Sequence, residues 1–242
     1  MRDYEKELEC RVKWIRDILA EASAQGIIYG NSGGKDSALV GILCKKACDN
    51  TVGIIMPCAS KRNYGEDTDD AMAVARQFGI ETRTVDLTPV RDALIHEAST
   101  GCKELTSAAV KNIAPRLRMS TLYAIGQSEG RLVAGTGNRD EFYVGYFTKY
   151  GDGGVDFNPI ADLTVGEIYE FLEYLKAPEN IIRKAPSAGL EEGQTDEGEL
   201  GFKYADLDEY LLTGNTDEPA KSTIEKMHAA SEHKRRPVKF YS

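Results

Sequence analysis

No apolar run in this 242-residue sequence approaches the roughly 20 residues that a membrane-spanning helix requires. The opening stretch, MRDYEKELECRVKWIRDILAEA, is charged throughout and lacks the continuous apolar segment of a secretory signal. Both absences predict a cytoplasmic protein with no membrane partner. Cysteine is scarce: Cys10, Cys44, Cys48, Cys58 and Cys102 make an odd number, and no C-x-x-C pair occurs. That argues against a disulfide framework and against a zinc site, and leaves the reduced thiols that the cytoplasm maintains. Positive charge is in deficit. The formal net charge is −9, which argues against non-specific nucleic-acid binding. One basic cluster departs from this balance, EHKRRPVKF, with His233, Lys234, Arg235, Arg236 and Lys239. It is either a solvated basic end or a contact for an anionic ligand.

What is present alternates between strand and helix. A helix is predicted over 4–24, where Leu8, Val12, Ile15, Ile18 and Leu19 form one apolar stripe. Strands are predicted over 27–29, 51–57, 82–87 and 131–136. Helices fall between them over 37–46, 66–79, 89–98 and 104–128, and after them over 164–175, 178–182, 205–212 and 219–231. Such alternation implies an α/β protein: a doubly wound, mostly parallel sheet flanked by helices on both faces. Sheets of this kind bind ligands at the carboxyl ends of their strands. Two glycine-bearing stretches fall at such ends, YGNSGGKDSALV (Tyr29 to Val40) and GTGNRDE (Gly135 to Glu141). The stretch 184–201 has four glycines and little apolar content, and is predicted to be a long surface loop.

The first glycine stretch resembles a phosphate loop, yet Asp36 stands between Lys35 and Ser37 where a Walker loop has its hydroxyl directly after the lysine. A carboxylate in a phosphate cradle repels phosphate unless a Mg²⁺ lies between them. Ser32, Gly33 and Gly34 can offer backbone N–H groups, the following helix adds its positive end, and Ser37 adds a hydroxyl. Pyrophosphate on the loop and metal on Asp36 is the reading that fits. Glu141, after Thr136 and Gly137, is placed for a second metal carboxylate; taken by itself it is equally a solvated loop acid. Arg116 and Arg118 lie two apart, so they do not share a helix face. One can reach a ligand while the other braces. Lys149, Asp152 and Asp156 lie in a glycine-rich turn, where a lysine suits phosphate or carboxylate and the aspartates suit ribose or metal-bound water.

The S-G-G-x-D-S pattern resembles the pyrophosphate-loop ATPases, whose fold is the Rossmann-like adenine nucleotide alpha hydrolase fold and which adenylate a substrate with ATP. Within them, five stretches resemble the NAD synthetase family in its ammonia-dependent form, in the same order over nearly the whole chain. They are the loop, KNIAPRLRMSTLY, GTGNRDEFYVGYFTKYGDGGVDFNPIADLT, KAPSAGLEEGQTDEGELG and HKRRP. The resemblance implies a single ATP-pyrophosphatase domain over 1–242, with a mobile active-site loop near 188–198 and a basic tail over 233–242. It implies amidation of deamido-NAD by ammonia with ATP as co-substrate, Mg²⁺ as cofactor and a homodimer as the assembly. It places ATP on Tyr29, Gly30, Asn31, Ser32, Gly33, Gly34, Lys35, Asp36, Ser37, Thr136 and Ser187, with Lys184 as a phosphate clamp. It places deamido-NAD on Arg116, Lys149, Asp156, His233 and Lys234, and the metal on Asp36 and Glu141. Asp152 is a candidate for holding and deprotonating ammonium. Asp196 and Glu197 are candidates for positioning the leaving pyrophosphate. His96 and His228 are assigned to surface or packing.

Three positions depart from the family pattern. Asn112 to Arg116 read NIAPR where the family has N-x-Q-A-R. Pro115 suits only a first-turn position, so the helix is predicted to start near Ala114. Val165 stands where the family commonly has an ATP-contacting lysine. Lys35 stands where the family is commonly uncharged, and is either solvent-facing or a phosphate contact. The alternatives are another adenylating amidase or thiolase of the same superfamily, and a non-catalytic nucleotide-binding protein.

Overall fold

Four parallel strands form the sheet of the computed structural model, which describes residues 2–59, 64–184 and 196–241. They are β1 (Gly26–Gly30), β2 (Thr51–Ile55), β3 (Glu81–Thr84) and β4 (Arg131–Ala134), in the order β3-β2-β1-β4. The register sets Ile27 beside Thr51 on one side and Leu132 on the other. β1 is therefore an inner strand, and it alternates accordingly. Ile27 and Tyr29 enter one apolar cluster, and Ile28 enters the other. Both faces of β1 and β2 are covered, which is why these two read as apolar runs without polar alternation, whereas the edge strand β3 is polar and partly exposed.

The first face is covered by α1 (Tyr4–Glu21), α2 (Lys35–Ala47), α8 (Val165–Tyr174) and α9 (Glu179–Arg183), which contribute Ile15, Leu39, Ile42, Ile168, Phe171 and Ile181. The second face packs Ile28, Val52, Ile54 and Val133 against Ala114 and Leu122 of α6 (Ile113–Ser128). Beside this face lie α4 (Thr88–Thr100) and the short α5 (Ser107–Lys111), and α3 (Glu66–Phe78) follows β2. A third apolar cluster joins Val144 of α7 (Arg139–Val144) and Val165 to Leu200, Leu207 and Ile224. These come from α10 (Asp196–Leu200), α11 (Tyr204–Thr213) and α12 (Ala220–Ala230), with α13 (Glu232–Arg235) after them.

The observed boundaries correct several expectations. The helix expected over 104–128 is interrupted at Asn112, and its second half starts at Ile113 with Pro115 in the first turn, where a missing N–H costs nothing. The GTGNRDE stretch holds the start of a helix, α7, which the sequence reading took for loop. Asn138 caps it: its side chain accepts from the Glu141 N–H while the Glu141 carboxylate accepts from the Asn138 N–H. The tail of the expected 184–201 loop is likewise helical, from Asp196 to Leu200.

Candidate active site

The carboxyl end of β1 runs into the glycine loop, and its geometry needs glycine at one point. Gly33 has φ +75°, and a Cβ there would stand 2.1 Å from the Asp67 carbonyl. Asn31 is buried; its side-chain amide donates to the Ala71 carbonyl at 3.2 Å. Ser32 Oγ accepts from the Gly34 N–H at 3.3 Å and lies 3.1 Å from Ser37 Oγ, which in turn donates to the Gly34 carbonyl. Two hydroxyls and the first turn of α2 are thus gathered at one spot, as a phosphate requires.

This loop opens on a cavity of about 500 Å³. Gly30, Asn31, Ser32, Gly34, Lys35, Asp36 and Ser37 line it, with Thr136, Glu141, Asp152, Lys184 and Lys234 from later elements. Asp36 and Glu141, 105 positions apart in the chain, meet here through Asn138. The Asn138 side-chain amide donates to Asp36 Oδ1 at 3.1 Å, and its backbone N–H donates to Glu141 Oε2 at 3.0 Å. Desolvation, and next the nearby Asp36, push the Glu141 carboxyl well above the ordinary carboxylate range. Two carboxylates crowded in this way call for a cation. Among the described residues no group of three or more metal-ligating side chains occurs. Mg²⁺ suits that donor set, since it binds through one or two carboxylates and completes its shell with water and phosphate oxygens.

Lys35 settles one of the open alternatives: it is not solvent-facing. It is buried, its ammonium donates to Asp36 Oδ2 at 2.8 Å, and the rings of Tyr169 and Tyr204 lie 6.0 and 5.7 Å away. Lys184 is held by two acids of α3, donating to Asp67 at 2.9 Å and Asp70 at 2.5 Å. Lys234 donates to the Gly145 and Phe147 carbonyls at 2.6 and 2.7 Å. Asp152 Oδ1 accepts from the Thr148 N–H at 2.9 Å. Asp196 is buried, lines the cavity and accepts from the Tyr204 hydroxyl at 3.3 Å. Glu197 instead accepts from the Tyr204 N–H at 3.0 Å.

Several expected site residues stand elsewhere. The Tyr29 side chain is fully buried in the apolar core, against Gly41 and Gly53, and does not face the cavity. Gly33 shapes the loop without lining the cavity. Arg116 is exposed, 3.5 Å from the Lys149 carbonyl, while Lys149 donates to the His233 carbonyl at 2.8 Å. These three form one surface chain outside the cavity. Asp156 is turned back to the sheet, where it accepts from the Val133 N–H at 2.7 Å and the Tyr123 hydroxyl at 3.0 Å. Of the arginine pair it is Arg118 that lines the cavity, with its Nε donating to the Met56 carbonyl at 3.2 Å. Val165 is buried in the third apolar cluster. Ser187 and most of the 188–198 loop lie outside the described residues.

Sequence reasoning missed Asn138, and of the arginine pair it placed Arg116, not Arg118, on the ligand. For Asn138 a signal existed: N-x-x-E at a strand-to-helix junction is a capping-box pattern. For Arg118 none did, because spacing separates the two faces without saying which is inward.

The sequence pattern of the NAD synthase family matches residues 7–238. The chain belongs to the NAD synthase family. The ammonia-dependent NAD(+) synthetase of Carboxydothermus hydrogenoformans is 48% identical over 236 residues, 97% of this chain and 96% of that protein. Among solved structures, the NMN synthetase of Francisella tularensis superposes with a TM-score of 0.93 at 34% identity, covering 100% of this chain and 99% of that one. The ammonia-dependent NAD synthetase of Campylobacter jejuni superposes with a TM-score of 0.80 at 30% identity, each chain covered fully. The parallel sheet, the flanking helices and the glycine loop are therefore family architecture. As an NAD synthase, the chain is an ATP-using ligase.

Proposed function

We propose that the chain amidates deamido-NAD with ammonia, releasing NAD, AMP and pyrophosphate. One observation carries this: the glycine loop, Asp36 and Glu141 open on a single cavity at the carboxyl ends of the strands. An oxygen of the nicotinate carboxylate attacks the α-phosphorus of ATP. The new O–P bond forms as the bond from that phosphorus to the bridging oxygen breaks, and pyrophosphate departs with those electrons. Ammonia then attacks the activated carbonyl, AMP leaves through its phosphate oxygen, and the amide nitrogen loses a proton.

Asp36 and Glu141 are the residues that would hold Mg²⁺, which, when bound, offsets the charge developing on the phosphate oxygens. The loop N–H groups, Ser32 and Ser37 orient the pyrophosphate end. Lys234 and Arg118 supply positive charge along the cavity wall. Asp152 faces the cavity and is assigned the ammonium, whose proton it accepts before attack. An Asp152→Asn enzyme with unchanged ammonia dependence would remove that role.

Arg116, Lys149 and His233, linked on the surface beside the cavity, are read as contacts for the part of the substrate beyond the nicotinate nucleotide. A homodimer in the cytoplasm completes the reading. Exposed Phe142 and Tyr150 would suit a subunit contact.

A second reading is favoured by the F. tularensis comparison, since the higher TM-score belongs to an NMN synthetase. The carboxylate would then be nicotinate mononucleotide. The test is product analysis with ATP, Mg²⁺ and ammonium, offering the dinucleotide and the mononucleotide in parallel. NAD formed in step with AMP at the higher kcat/KM supports the first reading. NMN formed at the higher kcat/KM replaces it with the second. ATP left intact with both would overturn amidation altogether.

A further inference from the structure

Lys35 has surroundings that a phosphate contact alone does not explain. It is the first residue of α2, the end of a helix that disfavours cations. Its side chain is only 6% exposed, in a setting where an unpaired ammonium is strongly disfavoured. The Asp36 carboxylate, 2.8 Å from its ammonium, supplies the opposite charge that such a setting requires. Two aromatic faces, those of Tyr169 and Tyr204, complete the enclosure. The ammonium has three N–H donors. Asp36 Oδ2 is the one acceptor that meets it among the described residues, and Asp36 Oδ1 is already taken by Asn138. The cation that the proposed function places on Asp36 therefore meets a carboxylate with a donor on each oxygen, and at Oδ2 that donor is the charged Lys35. Two cations on one carboxylate oxygen lie within about 4 Å of each other and repel strongly where water is excluded.

We propose that Lys35 is a resident counter-ion of the metal carboxylates: it competes with the divalent cation for Asp36, and moves off when that cation binds. The displaced ammonium keeps its place at the cavity floor, where its freed donors face the anionic oxygens of the nucleotide. Empty, the site is electrostatically closed by its own side chain. Loading it transfers one positive charge from the carboxylates to the phosphates. This rests on the reading of Asp36 and Glu141 as the cation's ligands.

The test is Mn²⁺ binding to the full chain without nucleotide, followed by electron paramagnetic resonance. Lys35→Met keeps the volume and removes the charge, and is expected to bind Mn²⁺ at least fivefold more tightly than the wild type. Lys35→Arg is expected to stay near wild type. Equal or weaker binding by Lys35→Met overturns the proposal. Asp36→Asn serves as the control. If it binds Mn²⁺ as the wild type does, the metal-site reading itself falls. If it loses Mn²⁺ while Lys35→Met gains nothing, only the role of Lys35 falls. A measurement on the wild type guards against a variant that does not fold: labelling of the Lys35 amine by an acylating reagent, read by mass spectrometry. Mn²⁺ alone is expected to raise it severalfold over the enclosed, paired state. Labelling unchanged or reduced by Mn²⁺ would mean that the ammonium does not move.

Discussion

Asn138 holds Asp36 by its side-chain amide, at 3.1 Å, across 102 positions of sequence. The same side chain caps α7 through its oxygen. One residue thus fixes one of the two carboxylates proposed to hold the metal and the helix that carries the other. Asn138→Ala should lose the cap, about 1 kcal/mol, and also release Asp36. Asn138→Ser should keep most of the cap and still release Asp36. Melting temperatures are expected to fall for alanine and change little for serine. kcat/KM for ATP is expected to fall roughly tenfold or more in both, about 1.4 kcal/mol of transition-state binding. Serine with wild-type activity would show that the amide to Asp36 is dispensable.

Asp36→Asn and Glu141→Gln should separate activity from stability. Burial and Asp36 already push Glu141 towards its protonated form, so neutralising it removes a repulsion. Glu141→Gln should melt at or above the wild-type temperature in the absence of divalent ions, while the amidation rate falls by about 10² or more. Loss of both together would mark Glu141 as a structural residue.

The two arginines should part company. Arg116→Ala touches only an exposed guanidinium, so stability should stay within about 0.5 kcal/mol while KM for the dinucleotide rises. Arg118→Met removes a cavity-lining charge and should lower kcat/KM for either nucleotide substrate. Steady-state kinetics with both substrates distinguishes these outcomes.

Asp140 predicts a pH dependence. It is fully buried beside Asp208, accepts from the Val165 N–H at 2.8 Å, and each acid keeps one buried oxygen with no donor. One proton shared between them would satisfy both. Burial, then the charge of Asp208, pushes Asp140 up to about 8. An acid whose pKa is raised on folding stabilises the fold while protonated. Its contribution is complete below the unfolded value near 4, declines as pH rises, and is gone above about 8. Thermal melts from pH 5 to 9 should therefore show stability falling, by at most about 1.4 kcal/mol per pH unit from this group. Asp140→Asn should flatten that slope. A slope unchanged by the substitution would assign it to other groups.

The sheet and the loop were legible in the sequence because their signals are local: apolar runs between glycines, and a motif whose backbone does the binding. Helix α7 and Asn138 were less so, since a six-residue helix leaves too few turns for a periodicity, although its capping pair was written as N-x-x-E. Lys35 was ambiguous for a different reason. Its burial depends on Tyr169, Tyr204 and Glu141, which arrive from three distant elements. Tyr29 misled because the motif was read as a block: Tyr29 lies inside β1 with its side chain in the core, while Asn31, past the strand's end, lines the cavity. The deamido-NAD set came from resemblance, and four of its five members lie outside the cavity of the single chain.

The strand order has one more consequence. β1 is clasped by β2 and β4, while β3 is paired on one side only. The glycine loop thus hangs from an inner strand, the part of the sheet least able to fray. Lys184, directly after a five-residue helix, is held by its acids on α3 and by the Tyr169 hydroxyl, which donates to its carbonyl at 2.7 Å. In hydrogen exchange, the amides of Ile27 to Gly30 should be among the last to yield, after those of the edge strand β3. Under the proposed function, the phosphates would be set against the most rigid part of the sheet.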